Sequence, residues 1–211
     1  MANQSIIIQG AVGDLELVVD RPEEQARLVV VVCHPHPLFQ GTMHNKVAYM
    51  LAQSLKPEGA IGVRFNFRGV GDSEGEHADG IGEVDDVLAV LGWVQAKWPE
   101  LPVVLAGFSF GAYVALLTAQ NTATLQTFNI QKLVTVAPPV GRWDFSAISA
   151  PQIPWLVIQG DEDELVEVDK VRIFITAQTP SPTLEVINSA DHFFHGKLNQ
   201  LRELIQAWFK N

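Results

Sequence analysis

With a single cysteine, Cys33, among 211 residues, the chain cannot close an internal disulfide, and no disulfide framework supports it. Positive charge is also scarce. Fourteen Lys and Arg stand against 24 Asp and Glu, a formal net charge of -10 that repels a nucleic-acid backbone over most of the surface, so no nucleic-acid partner is expected. Long apolar runs are missing as well: the longest, near residues 28–33, falls far short of the ~20 residues that cross a bilayer, and no membrane partner is expected. Met1 to Ser5 has neither the basic start nor the apolar core of a secretory leader, which with the lone cysteine gives a cytoplasmic location as the expectation. Repeats, low-complexity tracts and linker-like shifts in composition are lacking, so residues 1–211 read as one domain whose 47% apolar content can fill a substantial core.

Two further absences bear on chemistry. His34, His36, His44 and Asp72 are metal-ligating residue types, but prolines interleave the first pair and neither H-E-x-x-H nor C-x-x-C accompanies them, so no metal is expected. The glycines at 69, 71 and 75 miss the G-x-G-x-x-G spacing of a dinucleotide loop by one residue, and no cofactor is expected.

What the chain does contain is an alternation of strand and helix signals. Residues 5–10 and 15–20 read as two short strands joined by Ala11 to Asp14, an antiparallel hairpin at a sheet edge. Residues 27–33 are a Val-rich run bounded by charge, a strand buried on both faces, followed by His34-Pro35-His36-Pro37, where proline bars both helix and sheet interior. A helix is expected over 45–55, a strand over 60–67, and a glycine-rich loop over 68–75. Val84, Val87, Leu88, Leu91 and Val94 or Trp93 make one helical face within 81–98. Strands at 103–108, 132–137, 154–159 and 183–187 alternate with helices to about Gln120, over 168–177 and over 197–209. Such alternation gives a mostly parallel, twisted sheet with helices on both faces, whose functional groups gather at the carboxyl ends of the strands.

One stretch stands out. Val103 to Phe108 is β-branched and apolar, Ser109 sits between Gly107 and Gly111, and an alanine-rich run follows at once: strand, tight turn, helix. A serine at that corner is forced into a strained backbone that lifts its hydroxyl off the sheet, and a side chain at either glycine would collide with a neighbouring element. Gly107-Phe108-Ser109-Phe110-Gly111 therefore resembles the nucleophile elbow of the α/β-hydrolase superfamily. The likeness runs from Leu28 to Phe209 and extends to small enzymes of the dienelactone hydrolase branch, where cysteine can hold the elbow position that here is Ser109. Arg68-Gly69-Val70-Gly71-Asp72-Ser73 is similar to the R-G-x-G-x-S segment of the same superfamily, although Asn66 stands where Asp is common.

The resemblance implies a serine hydrolase acting on a small-molecule ester or thioester, with amide or peptide cleavage, or a non-catalytic binding scaffold, as the alternatives. It implies Ser109 as nucleophile and His192, in the loop between the last strand and last helix, as base. The remaining histidines read as a helix start (His44, His195), a polar loop (His77) or the loop after the first buried strand (His34, His36). Five carboxylates, Asp161, Glu162, Asp163, Glu164 and Asp191, compete to orient His192, and the family frame of glycine, acid and small apolar residue at three-residue steps fits Gly160, Asp163 and Val166. Asp161 is then a turn residue bonding a backbone N–H two positions on. The oxyanion donors implied are the N–H of Phe110 and a second from the His-Pro loop, either His36 or Leu38, since Pro35 and Pro37 have none. Residues 138–152, where relatives insert a lid, are too few for one, so a shallow, open site taking short acyl groups is expected, with Phe39, Trp143 and Phe145 as candidate walls.

Overall fold

The computed structural model describes residues 5–210, so Met1 to Gln4, part of the stretch read above for a leader, lie outside the described residues. Eight strands form one sheet in the order β1-β2-β4-β3-β5-β6-β7-β8. The hairpin of β1 (Ile6–Gln9) and β2 (Asp14–Asp20) is antiparallel and lies at the edge, β2 meeting β4 (Ala60–Phe65) antiparallel. From β3 (Leu28–Cys33) onward, every pairing through β5 (Val103–Phe108), β6 (Ile130–Val136), β7 (Trp155–Gly160) and β8 (Thr183–Ile187) is parallel.

Alternation along the central strands decides which helix covers which face. In β3, Val29, Val31 and Cys33 point into the cluster built with α2 (Ile81–Lys97), α3 (Phe110–Ala119) and α5 (Val168–Thr176). Val30 and Val32 point the other way, against α1 (Lys46–Ser54) and α6 (Leu198–Lys210). Every residue of β3, β4, β5 and β7 is buried, which is why these strands read as mostly apolar runs, broken only by Arg64 in β4 and Gln159 in β7.

Differences from the expected boundaries have local causes. The fourth strand stops at Phe65, not Phe67, because Asn66 turns aside: its Oδ1 accepts from Met43 N–H and its Nδ2 donates to Glu16, while Phe67 N–H donates to His34 Nε2. Asn66 thus anchors the glycine-rich loop, its backbone O also accepting from Ser73 Oγ. The His-Pro segment contains one 3₁₀ turn, Pro37–Phe39, with Pro37 at its first position, where a missing N–H costs nothing. A short helix, α4 (Thr122–Thr127), was not expected; it is capped by Asn121 Oδ1, which accepts from the N–H of Ala123 and Thr124. His44 precedes the α1 cap Asn45, and His195 lies three residues before α6; neither belongs to a helix.

Below the loop over 68–75, Arg68 forms a buried pair with Asp86 of α2, Nη2 to Oδ1 at 2.7 Å, and Asp86 Oδ2 also accepts from the Arg68 N–H. Removing one partner strands the other charge out of water. Asp86→Ala is therefore expected to lower unfolding free energy by about 3–5 kcal/mol, read from urea titration, and a loss below ~1 kcal/mol would show that the pair is not what anchors this loop.

Candidate active site

Between β5 and α3 the chain reverses in one residue. Ser109 adopts φ 54° and ψ −120°, a conformation disfavoured for any residue with a Cβ, and its N–H is tied to Val136 O of the neighbouring strand at 2.9 Å. Both flanking glycines are required by space: a Cβ on Gly107 would overlap the carbonyl of Gly111, and a Cβ on Gly111 would overlap the carbonyls of Cys33 and His34. The serine hydroxyl is thereby raised at the carboxyl end of the sheet, half exposed.

Two loops bring the other groups to it. One follows β7 and carries Asp163; the other follows β8 and carries His192. They are stitched together by Asp161 N–H to Ile187 O, Glu162 N–H to Ala190 O, Ser189 N–H to Asp161 Oδ1 (2.6 Å) and His192 N–H to Glu164 Oε2 (3.2 Å), and they run so close that a Cβ on Gly160 would overlap Ala190 O. In this arrangement His192 Nε2 lies 3.0 Å from Ser109 Oγ, and His192 Nδ1 lies 2.8 Å from Asp163 Oδ2. Burial by itself would raise the Asp163 pKa, but the hydrogen bond and charge of His192, with the N–H groups of Val166 and Leu165 on Oδ1, bring it below the ordinary carboxylate value. Its ionisation therefore contributes stability fully above the usual carboxylate range, and that contribution is lost as pH falls through the depressed folded value.

The other expected candidates separate cleanly. Asp161 bonds not two positions on, as expected, but across to Ser189; the turn bond two positions on is made by Asp163 to Leu165. Asp191 accepts from His195 N–H and faces the His195 ring at 2.7 Å, away from His192. His34 is buried between β3 and β4; burial pushes its pKa down to about 4, and its ring bridges Pro35 O and Phe67 N–H. Cys33 is fully buried, and burial pushes its thiol pKa well up. No group of three or more His, Cys, Asp or Glu with metal-ligating geometry occurs among the described residues.

A cleft of about 600 Å³ opens over Ser109, lined by His36, Phe39, Phe110, Arg142, Trp143 and Phe193 among others. Within residues 138–152, too short for a lid, a turn at 138–143 holds Trp143 stacked on Tyr113 (5.4 Å) and beside Phe110 and His36. Trp143 is a wall of the cleft, whereas Phe145 is packed in the core against Phe174. Of the two loop donors, Leu38 N–H is already bonded to His36 Nδ1 (3.1 Å) and its side chain is 72% exposed, outside the cleft lining. The N–H groups of His36 and Phe110 have no partner among the described residues, and both residues line the cleft. Sequence reasoning missed Gln159, buried at the end of β7, whose Nε2 donates to Asp163 Oδ2 at 2.9 Å. A polar residue inside an otherwise apolar strand was the signal available.

This fold, with a nucleophile elbow and no lid inserted after β6, defines the lidless α/β-hydrolase class. Residues 24–150 match the family described as serine aminopeptidase S33, and the chain belongs to that family within the α/β-hydrolase superfamily. An α/β serine hydrolase homologue from Coxiella burnetii is 44% identical, with a TM-score of 0.89 over 97% of this chain and 96% of that one. A lidless α/β serine hydrolase from Xanthomonas campestris is 43% identical, with a TM-score of 0.87 over 97% and 92%. An uncharacterized protein of Rickettsia prowazekii is 35% identical over 189 residues, 85% of this chain and 77% of the relative.

Two predictions follow from the loop geometry. Asp163→Asn should lower kcat on the order of 10⁴ by favouring the wrong imidazole tautomer, while Asp161→Asn, which keeps an acceptor for Ser189, should cost less than about tenfold; steady-state kinetics giving the reverse order would move the acid role to Asp161. Iodoacetamide at neutral pH should leave activity unchanged because the Cys33 thiol is buried and protonated, and inactivation tracking Cys33 alkylation would contradict that.

Proposed function

We propose that the protein is a serine hydrolase that cleaves a carboxylic ester or thioester of a small acyl group through Ser109, His192 and Asp163. The observation that carries this reading is the continuous hydrogen-bonded line from Asp163 Oδ2 through His192 Nδ1 and Nε2 to Ser109 Oγ, with the hydroxyl held at a strained elbow facing the cleft. Serine is a poor nucleophile at its free pKa and needs such a base in reach.

In the reaction proposed, Ser109 Oγ attacks the substrate carbonyl carbon while its proton passes to His192 Nε2. The carbonyl π pair moves onto oxygen, which accepts from the N–H groups of Phe110 and His36. Phe110 N–H is one of the unpaired donors that open α3, so the helix dipole adds to the same site. When the tetrahedral intermediate collapses, the leaving alcohol or thiol takes the proton from His192 and departs. Water, deprotonated by the same imidazole, then attacks the acyl-enzyme and releases the acid. Asp163 holds the Nδ1–H tautomer and balances the imidazolium.

The family description leaves aminopeptidase activity as a second reading. An aminopeptidase must hold a substrate ammonium, and no Asp or Glu lines this cleft, which favours a neutral or anionic acyl substrate. Ser109→Ala is expected to reduce p-nitrophenyl butyrate turnover by several orders of magnitude without lowering the melting temperature, and a fluorophosphonate probe should label the wild type and not the variant. Turnover above a tenth of wild type in the variant would sink the assignment, and absence of labelling in the wild type would favour a binding scaffold.

A further inference from the structure

The one formally charged side chain in the cleft is Arg142, in a chain whose net charge is -10. It stands in the turn after β6, whose backbone is fixed by the bonds of Val140 N–H to Pro138 O and of Arg142 N–H and Trp143 N–H to Pro139 O. Its Nε donates to Leu165 O at 2.6 Å across the cleft, which aims the guanidinium, and no carboxylate lies within ion-pair distance of it among the described residues. Arg142 is exposed, so it stands at the open rim of the aromatic-walled cleft; a cation so held, without an acidic partner, is equipped to take a planar anion through its Nη donors. We propose that Arg142 forms a carboxylate subsite, so that the enzyme prefers esters carrying a second, free carboxylate; this rests on the hydrolase reading above.

The test compares two p-nitrophenyl esters of five-carbon acyl groups, the neutral pentanoate and the mono-ester of glutarate. The wild type should favour the glutarate ester in kcat/KM, and Arg142→Met should lower that glutarate-to-pentanoate ratio at least about tenfold, with Arg142→Lys retaining part of it. The ratio cancels any general loss from freeing Leu165. Titration calorimetry of monomethyl glutarate against methyl pentanoate on the Ser109→Ala protein reads the subsite without turnover, since only the first carries a carboxylate. A ratio unchanged by Arg142→Met, together with equal binding of these two esters, overturns the subsite. If neither p-nitrophenyl ester is cleaved but monomethyl glutarate binds in an Arg142-dependent way, the subsite stands and the hydrolase reading falls.

A separate observation concerns Gln159. Its side chain is fully buried, Nε2 reaches Asp163 Oδ2 (2.9 Å), Val166 O (3.2 Å) and Gly160 O (3.3 Å), and its Oε1 has no partner. Turning the amide round would set Oε1 against three acceptor oxygens, so its orientation is fixed. A buried polar atom left unsatisfied costs stability, and here it is tolerated while the amino group serves the same oxygen that receives His192. We infer that Gln159 is a positioning residue for the triad acid, holding the Asp163 carboxylate aimed at His192.

Gln159→Met keeps the volume and removes the donor. It should lower kcat roughly 10- to 100-fold per active site counted by fluorophosphonate titration, with KM little changed. Asp163, having lost a donor to its charged form, should protonate at higher pH, so the acid-side loss of activity should set in at higher pH than in the wild type. Gln159→Asn, an amide one methylene short of Asp163, should move both quantities in the same direction if the Met variant does not fold. A lowered melting temperature with wild-type kcat per active site and an unmoved acid limb would reduce Gln159 to a packing residue.

Discussion

The chemistry of this protein hangs on a steric constraint at one backbone corner. Ser109 sits at φ 54° where β5 and α3 come together with no room for side chains between them: a Cβ on Gly107 would overlap the carbonyl of Gly111, and a Cβ on Gly111 would overlap the carbonyls of Cys33 and His34. The strain is held by the sheet on one side, through Ser109 N–H and Val136 O, and by the buried helix α3 on the other. Because the same turn opens α3, lifting the hydroxyl and freeing the Phe110 N–H are one event. The two groups to which the proposed reaction gives the nucleophile and oxyanion-donor roles therefore cannot be separated without rebuilding the corner.

Around that corner the protein arranges charge by burial. In a strongly acidic chain the cleft itself carries no carboxylate; the acidic cluster after β7 is turned so that Asp163 alone faces inward while Asp161 and Glu164 secure the histidine loop. Five carboxylates near one histidine thus divide into one partner and several braces, and the division follows from which backbone N–H each can reach. Asp163 accepts from four donors, and the His192 ring it faces is buried beside the serine.

Most of the architecture was legible because buried parallel strands announce themselves as Val-rich runs and the elbow glycines have a spatial cause. The frame Gly160, Asp163, Val166 placed the acid within hydrogen-bond reach of His192, since glycine is needed where the loop meets Ala190 and Val166 N–H is the donor that fixes the carboxylate. Two features that escaped depend on partners distant in sequence: Asp161 finds Ser189 twenty-eight residues away, and Trp143, a wall of the cleft, stacks on Tyr113 of α3. Gln159 reaches Asp163 four residues on, but which group a buried amide meets is set by how the loop after β7 folds. Nor does local pattern separate the two candidate loop donors, His36 and Leu38: only the folded loop shows the Leu38 N–H bonded to the His36 ring.

The central claim is that Ser109 forms a covalent acyl-enzyme with an ester substrate. It is tested most directly by mixing enzyme with p-nitrophenyl butyrate, quenching in acid within the first turnover, and locating the acyl adduct by peptide mass spectrometry. The account predicts a butyryl group on Ser109 that appears with a burst of p-nitrophenol and decays as water deacylates it. An adduct on another residue, or steady hydrolysis with no adduct and no labelling of Ser109 by a fluorophosphonate, would contradict it.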